Sequence, residues 1–164
     1  MRDACDARQA VSRARLAARS VAQDGGDAAG IDFRLWRAML SAGDAAEAAE
    51  LLSDVLQREG QSDVPAGSRG LTATTLAQAL ASSGEFGQAV GAYGYAAELY
   101  EAAEQGADQA VALNEQAKIL ARFGEEDDAI ALLENAAEIV RRHPDAPGAV
   151  TSVLAVISII IFFV

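Results

Sequence analysis

The sequence has 164 residues, enough for one domain, and 38 of them are alanine while aromatics make up only 5%. That composition favours helix and argues against a β-sandwich or barrel, which needs β-branched and aromatic strands. With 13 basic and 24 acidic side chains the net charge is −11, which excludes sequence-independent binding to DNA or RNA because phosphate neutralisation needs clustered Lys and Arg. Cys5 is the single cysteine and His143 the single histidine, so the sequence offers neither an internal disulfide nor a Cys/His metal cluster. A Ser-His-Asp arrangement would have to use His143, which stands beside Pro144 in an exit segment. A reducing, cytoplasmic compartment is expected.

The charge divides the chain in three. Residues 1–20 hold five Arg and two Asp, residues 21–148 are acidic, and residues 149–164 carry no charge. In chain order, the predicted helices begin with a basic one over 2–22, followed by a glycine loop over 25–30. Helices over 32–42 and 45–59 form a first hairpin. A longer loop over 60–70 contains Pro65. Helices over 71–83 and 86–105 form a second hairpin, and helices over 107–123 and 126–142 a third.

The hairpins share one pattern. LWRAMLSAGDAAEAAELLSDVL from Leu35, LAQALASSGEFGQAVGAYGYAA from Leu76 and QAKILARFGEEDDAIALLENAA from Gln116 align on Gly43, Gly84 and Gly124, at periods of 41 and 40 residues. Five residues after each Gly stands Ala48, Ala89 or Ala129; four further on, Leu52, Tyr93 or Leu133; three further again, Val55, Ala96 or Ala136. Steps of three and four put these positions on one helix face. The Gly suits a left-handed C-terminal cap, and Asp44, Glu85 or Glu125 follows it where a negative charge favours the next helix. Asp44 and Glu47 have capping-box spacing. A small Ala in the second helix lets two antiparallel helices approach closely.

This small/large pattern, with Leu76-Ala77 and Gln116-Ala117 on first helices, Gly at the turn and Ala-large-Ala on second helices, resembles the tetratricopeptide repeat family over residues 29–142. The period resembles the longer variant found in kinesin light chains and bacterial regulators with helical sensor repeats. Trp36 and Gln116 depart from the motif, and the first two copies lack its terminal Pro. The resemblance implies an all-α fold of antiparallel hairpins stacked as an α-solenoid: three repeats over 29–148, flanked by terminal half-repeats. Residues 1–28 then dock as a second helix with Ala7, Val11 and Ala14 in phase and Arg8, Arg15 and Arg19 in solvent; a basic membrane-surface helix is the alternative.

The resemblance also implies a function: a non-catalytic module that binds a protein or peptide, an acidic one included, on a concave face. The groove positions are Phe33, Arg37, Leu40 and Ser41; Thr74, Gln78, Ala81 and Ser82; and Asn114, Lys118 and Arg122. Three of the eight basic residues between 21 and 148 fall there. Arg37, Lys118 and Arg122 either pair with partner carboxylates or form an ordinary solvated face, with Lys118 and Arg122 balanced by neighbours such as Glu115. Trp36 and Tyr93 read as core, Tyr95 as exposed, and the alternative for these and Tyr100 is that they anchor a partner. No cofactor or metal is expected: Glu125-Glu126-Asp127-Asp128 reads as a helix N-terminus and lacks EF-hand spacing.

Residues 149–164, AVTSVLAVISIIIFFV, leave alternatives open. Sixteen residues of helix span about 24 Å, short of a hydrocarbon core of about 30 Å. Arg141 and Arg142 before it suit the cytoplasmic flank of an anchor, which would place the scaffold on the cytoplasmic face of a membrane. Alternatively the tail fills the slot of the next repeat's first helix, as a cap that also invites self-association. A third reading makes the tail the truncated end of a fragment of a longer array, and on that reading the chain is a detached sensor segment of a larger regulator.

Overall fold

The computed structural model describes residues 44–142, which form five helices and no strand. They are α1 (Ala45–Gly60), α2 (Ala66–Ser83), α3 (Phe86–Ala102), α4 (Gly106–Arg122) and α5 (Glu126–Arg142). The fold of this region is all-α. The expected helix over 32–42, the basic helix over 2–22, Trp36, Gly43, His143 and the tail over 149–164 lie outside the described residues.

Each helix packs against the next in sequence. The contacts run head to tail: Thr72 near the start of α2 bonds Glu59 at the end of α1, and Gly70 abuts Tyr100 near the end of α3. Neighbouring helices are therefore antiparallel, as short connections demand.

The interior is built largely from alanine. Ala48, Ala73, Ala77, Ala79, Ala89, Ala96 and Ala110 are fully inaccessible. A methyl side chain permits close axial approach, so many small contacts replace a few large ones. Larger groups fill the remaining space at related positions: Leu52, Tyr93 and Leu133 are all buried, and so are Val55, Ala96 and Ala136. The period seen in the sequence is thus a period of burial.

Three turns share one hydrogen-bond arrangement. After α2, Glu85 N–H donates to Leu80 O at 2.8 Å and Gly84 N–H to Ala81 O at 3.3 Å. After α4, Glu125 N–H donates to Leu120 O at 3.1 Å and Gly124 N–H to Ala121 O at 3.2 Å. After α3, Gln105 N–H donates to Tyr100 O at 2.9 Å and Glu104 N–H to Glu101 O at 3.0 Å. This is the Schellman closure, which satisfies orphan carbonyls and needs a left-handed residue. Gly84 (φ 89°) and Gly124 (φ 82°) supply it, as the sequence implies; in the third turn Glu104 (φ 57°) does so without a glycine's freedom.

That third turn corrects one boundary. The helix expected over 86–105 ends at Ala102, because the turn falls where no glycine announces it. The second correction is larger: the loop expected over 60–70 closes within 61–65, and Pro65 caps a helix that starts at Ala66. Pro65 has the extended ψ of 142° that lets a chain enter a helix. Gly67 and Gly70, which read as loop residues, are helical, and the end of α3 and the turn after it come close above them. A Cβ on Gly70 would meet the Tyr100 ring at 2.9 Å, and one on Gly67 would meet the Gln105 amide at 2.6 Å. Asp44 makes no side-chain capping hydrogen bond to α1, so the Asp44 half of the expected capping box is not formed.

Candidate functional site

A concavity lies between α2 and α4, with α3 as its floor. It encloses about 500 Å³. Ala81 and Ser82 supply the α2 wall, Phe86 and Tyr93 the floor, and Glu115, Lys118, Ile119, Ala121 and Arg122 the α4 wall. Lys118 and Arg122 are four residues apart, so one helix face presents both charges to the cleft.

The two cations are held differently. Lys118 Nζ donates to Glu115 Oε1 at 2.5 Å, one turn earlier on α4. Arg122 makes no ion pair among the described residues; its guanidinium carbon sits 5.7 Å from the centre of the Phe86 ring. That is within cation–π range, and it leaves the guanidinium edge free to donate. Phe86 also meets Phe123 with ring centres 5.2 Å apart and planes tilted by 52°.

Tyr93 lines the floor and is buried, with 3% of its surface exposed. Burial, and secondarily the negative charge of Glu115, push its phenol up to about 12. The hydroxyl is therefore a neutral hydrogen-bonding group at any physiological pH. Tyr100 is also raised by burial, with Asp108 adding to the shift and the Thr74 hydrogen bond opposing it. It packs under Gly70, so it is a core residue rather than a partner anchor. Tyr95 is exposed, and its hydroxyl accepts a hydrogen bond from Arg69 Nη2 at 2.6 Å.

Of the groove positions read from the sequence, Ala81, Ser82, Lys118 and Arg122 come together in this cleft. Thr74, Gln78 and Asn114 stand outside its lining. The Thr74 hydroxyl donates to Gly70 O at 2.9 Å and lies 3.3 Å from the Tyr100 hydroxyl. Asn114, one turn before Lys118, is buried, and its Oδ1 accepts no hydrogen bond. A buried acceptor left unmet costs about 1–3 kcal/mol. Phe33, Arg37, Leu40 and Ser41 lie outside the described residues. Phe86, Tyr93, Ile119 and Ala121 also line the cleft without having been expected there, whereas Glu115 pairs with Lys118 as the reading of a locally balanced, solvated face expects. Phe86 is equivalent to Ala45 and Glu126, so nothing periodic marks it.

Among the described residues no group of three or more His, Cys, Asp or Glu is placed to hold a metal ion, and Glu125 to Asp128 are all exposed at the start of α5. No described helix is long and apolar enough to cross a membrane. The chain matches no protein-family model, and no curated protein is significantly similar to it.

Proposed function

We propose that the chain is a non-catalytic interaction module of the tetratricopeptide-like kind. Its helices form an α-solenoid, and an acidic peptide binds along the face shared by α2 and α4. The observation that carries this reading is the pairing of Lys118 and Arg122 on one cleft in a molecule whose net charge is −11. Arg122 presents there a guanidinium that makes no ion pair among the described residues. Carboxylates suit that fork because two parallel N–H donors match two oxygens. The single cysteine fits work in the cytoplasm.

The test uses a fluorescein-labelled octamer of glutamate with a free carboxyl terminus, titrated with the full chain at low salt. Binding should weaken at least tenfold in Lys118→Glu/Arg122→Glu and fall with added salt. A neutral Gly/Ser octamer should not bind. Equal affinity of the charge-reversed protein would refute the assignment of these two residues.

A further inference from the structure

We propose that the peptide bound at the cleft carries a large apolar side chain two residues from the carboxylate that Arg122 holds, and that this side chain enters a notch between α3 and α4. The proposal rests on the peptide-binding reading and adds to it the chemistry of the peptide. The notch encloses about 290 Å³. Phe86, Gly87 and Val90 line it from α3, Ile119 and Leu120 from α4, and Phe123 from just beyond α4. None of these side chains is charged. Phe86 and Ile119 line the charged cleft as well, so the two concavities meet at those residues.

Charge and aromatic surface arrive together at this junction. Where the preceding copy has Ala45, Ser82 and Ser83, this one has Phe86, Arg122 and Phe123. The Arg122 guanidinium carbon lies 5.7 Å from the centre of the Phe86 ring, and that ring meets Phe123, which is 59% exposed. The Phe86 ring thus steadies the cation and walls the notch. Arg122 favours an anionic group at the rim, while the notch gains from covering its carbon surface and from nothing charged. In an extended peptide, side chains two residues apart point the same way and stand roughly 7 Å apart. That span carries a chain from a carboxylate on Arg122, across the Phe86 ring, to an apolar side chain in the notch. Covering the ring also takes water from the ion pair beside it, which strengthens the pairing.

The test titrates the full chain against two fluorescein-labelled glutamate octamers, one with Phe and one with Ala at the fourth position. The Phe peptide should bind about fivefold tighter or better. That gain should vanish in Gly87→Leu, with the affinity for the Ala peptide unchanged. A Cβ at Gly87 meets nothing within 4 Å, so the new side chain fills the notch without a clash, and it favours the helix as well. Gly91→Leu, one turn further on, is equally open and lies outside the notch, so it should keep the gain. Val90→Ser, which opens the notch instead of filling it, should reduce the gain. Equal affinity of the two peptides for the unmodified chain would overturn the proposal and leave the binding of acidic peptides standing. Binding of neither peptide would remove both readings. A full gain in Gly87→Leu and Val90→Ser, or its loss in Gly91→Leu, would overturn the notch as the seat of the side chain.

Discussion

The junction between α1 and α2 and the junction between α3 and α4 are built from equivalent positions, 40 or 41 residues apart, yet they are filled very differently. The first encloses about 660 Å³ between Ala46, Ala49, Glu50 and Asp54 on α1 and Leu76, Leu80 and Ser83 on α2. The second leaves about 290 Å³ and is walled almost wholly by carbon. Two substitutions between copies fall at these junctions. Ala45 and Ser83 in the first become Phe86 and Phe123 in the second, and the two rings meet each other. The backbone arrangement is set by the buried alanines common to both, while side chains at the rim decide how much room remains. The side-chain chemistry of the rim therefore changes from one junction to the next while the helices keep their order.

The comparison can be broken most severely from the core. Leu52, 1% exposed, sits at the place of Tyr93. Leu52→Ala should cost about 3 kcal/mol, read from the urea midpoint at constant slope. A cost under about 1 kcal/mol would mean that the α1–α2 junction is already loose. Gly70→Ala comes next. Its new methyl meets the buried Tyr100 ring at 2.9 Å, so overpacking should cost about 2 kcal/mol, and Gly70→Ala/Tyr100→Leu should recover part of it.

Smaller effects sharpen the contrast. Phe123→Ser makes the second junction resemble the first and removes an aromatic pair at the rim. Because 59% of Phe123 is exposed, the loss should be about 1 kcal/mol. The turns allow an internal control. Gly84→Ala forces a methyl into φ 89° and should cost about 1 kcal/mol although nothing lies within 4 Å of the added Cβ. Glu104→Gly should instead stabilise by a few tenths of a kcal/mol or more, since φ 57° already strains a side chain there. If both changes move stability the same way, the turns are not equivalent.

The subtlest difference is visible only in alkali. Leu52 has no proton to lose, whereas Tyr93 has a folded-state pKa raised from 10.0 to about 12. Between those values the unfolded chain gives up a proton that the folded chain keeps, so stability is intact below pH 10 and falls as pH rises toward 12. Tyr100 acts in the same direction. Thermal unfolding at pH 9, 10 and 11 should show this slope, reduced in Tyr93→Phe. An identical slope in that variant would remove Tyr93 as its source.

Much of this was legible in residue order. Ala48, Ala89 and Ala129 announced the helix contacts, Gly84 and Gly124 announced two turns, and the helix over 126–142 matches α5 at both ends. Local chemistry suffices in these cases: a 3.6-residue period marks a buried face, and a left-handed turn selects glycine. Lys118 and Arg122 were legible for the same reason, being one turn apart on a helix whose phase was fixed.

What the sequence determined by itself is therefore the succession of helices, their inward faces and the cationic pair on α4. Tertiary structure decided the rest. The ring of Tyr100 lies over Gly70 in a glycine-rich stretch that is helical, and Glu104 takes a left-handed conformation that its own side chain disfavours. Only the approach of α2 to α4 turns two exposed cations into one wall of a cleft with Phe86 and Tyr93 beneath. The physical reason is distance along the chain. Preferences within one or two turns act on neighbouring residues, whereas a cleft exists only where helices remote in sequence are brought side by side.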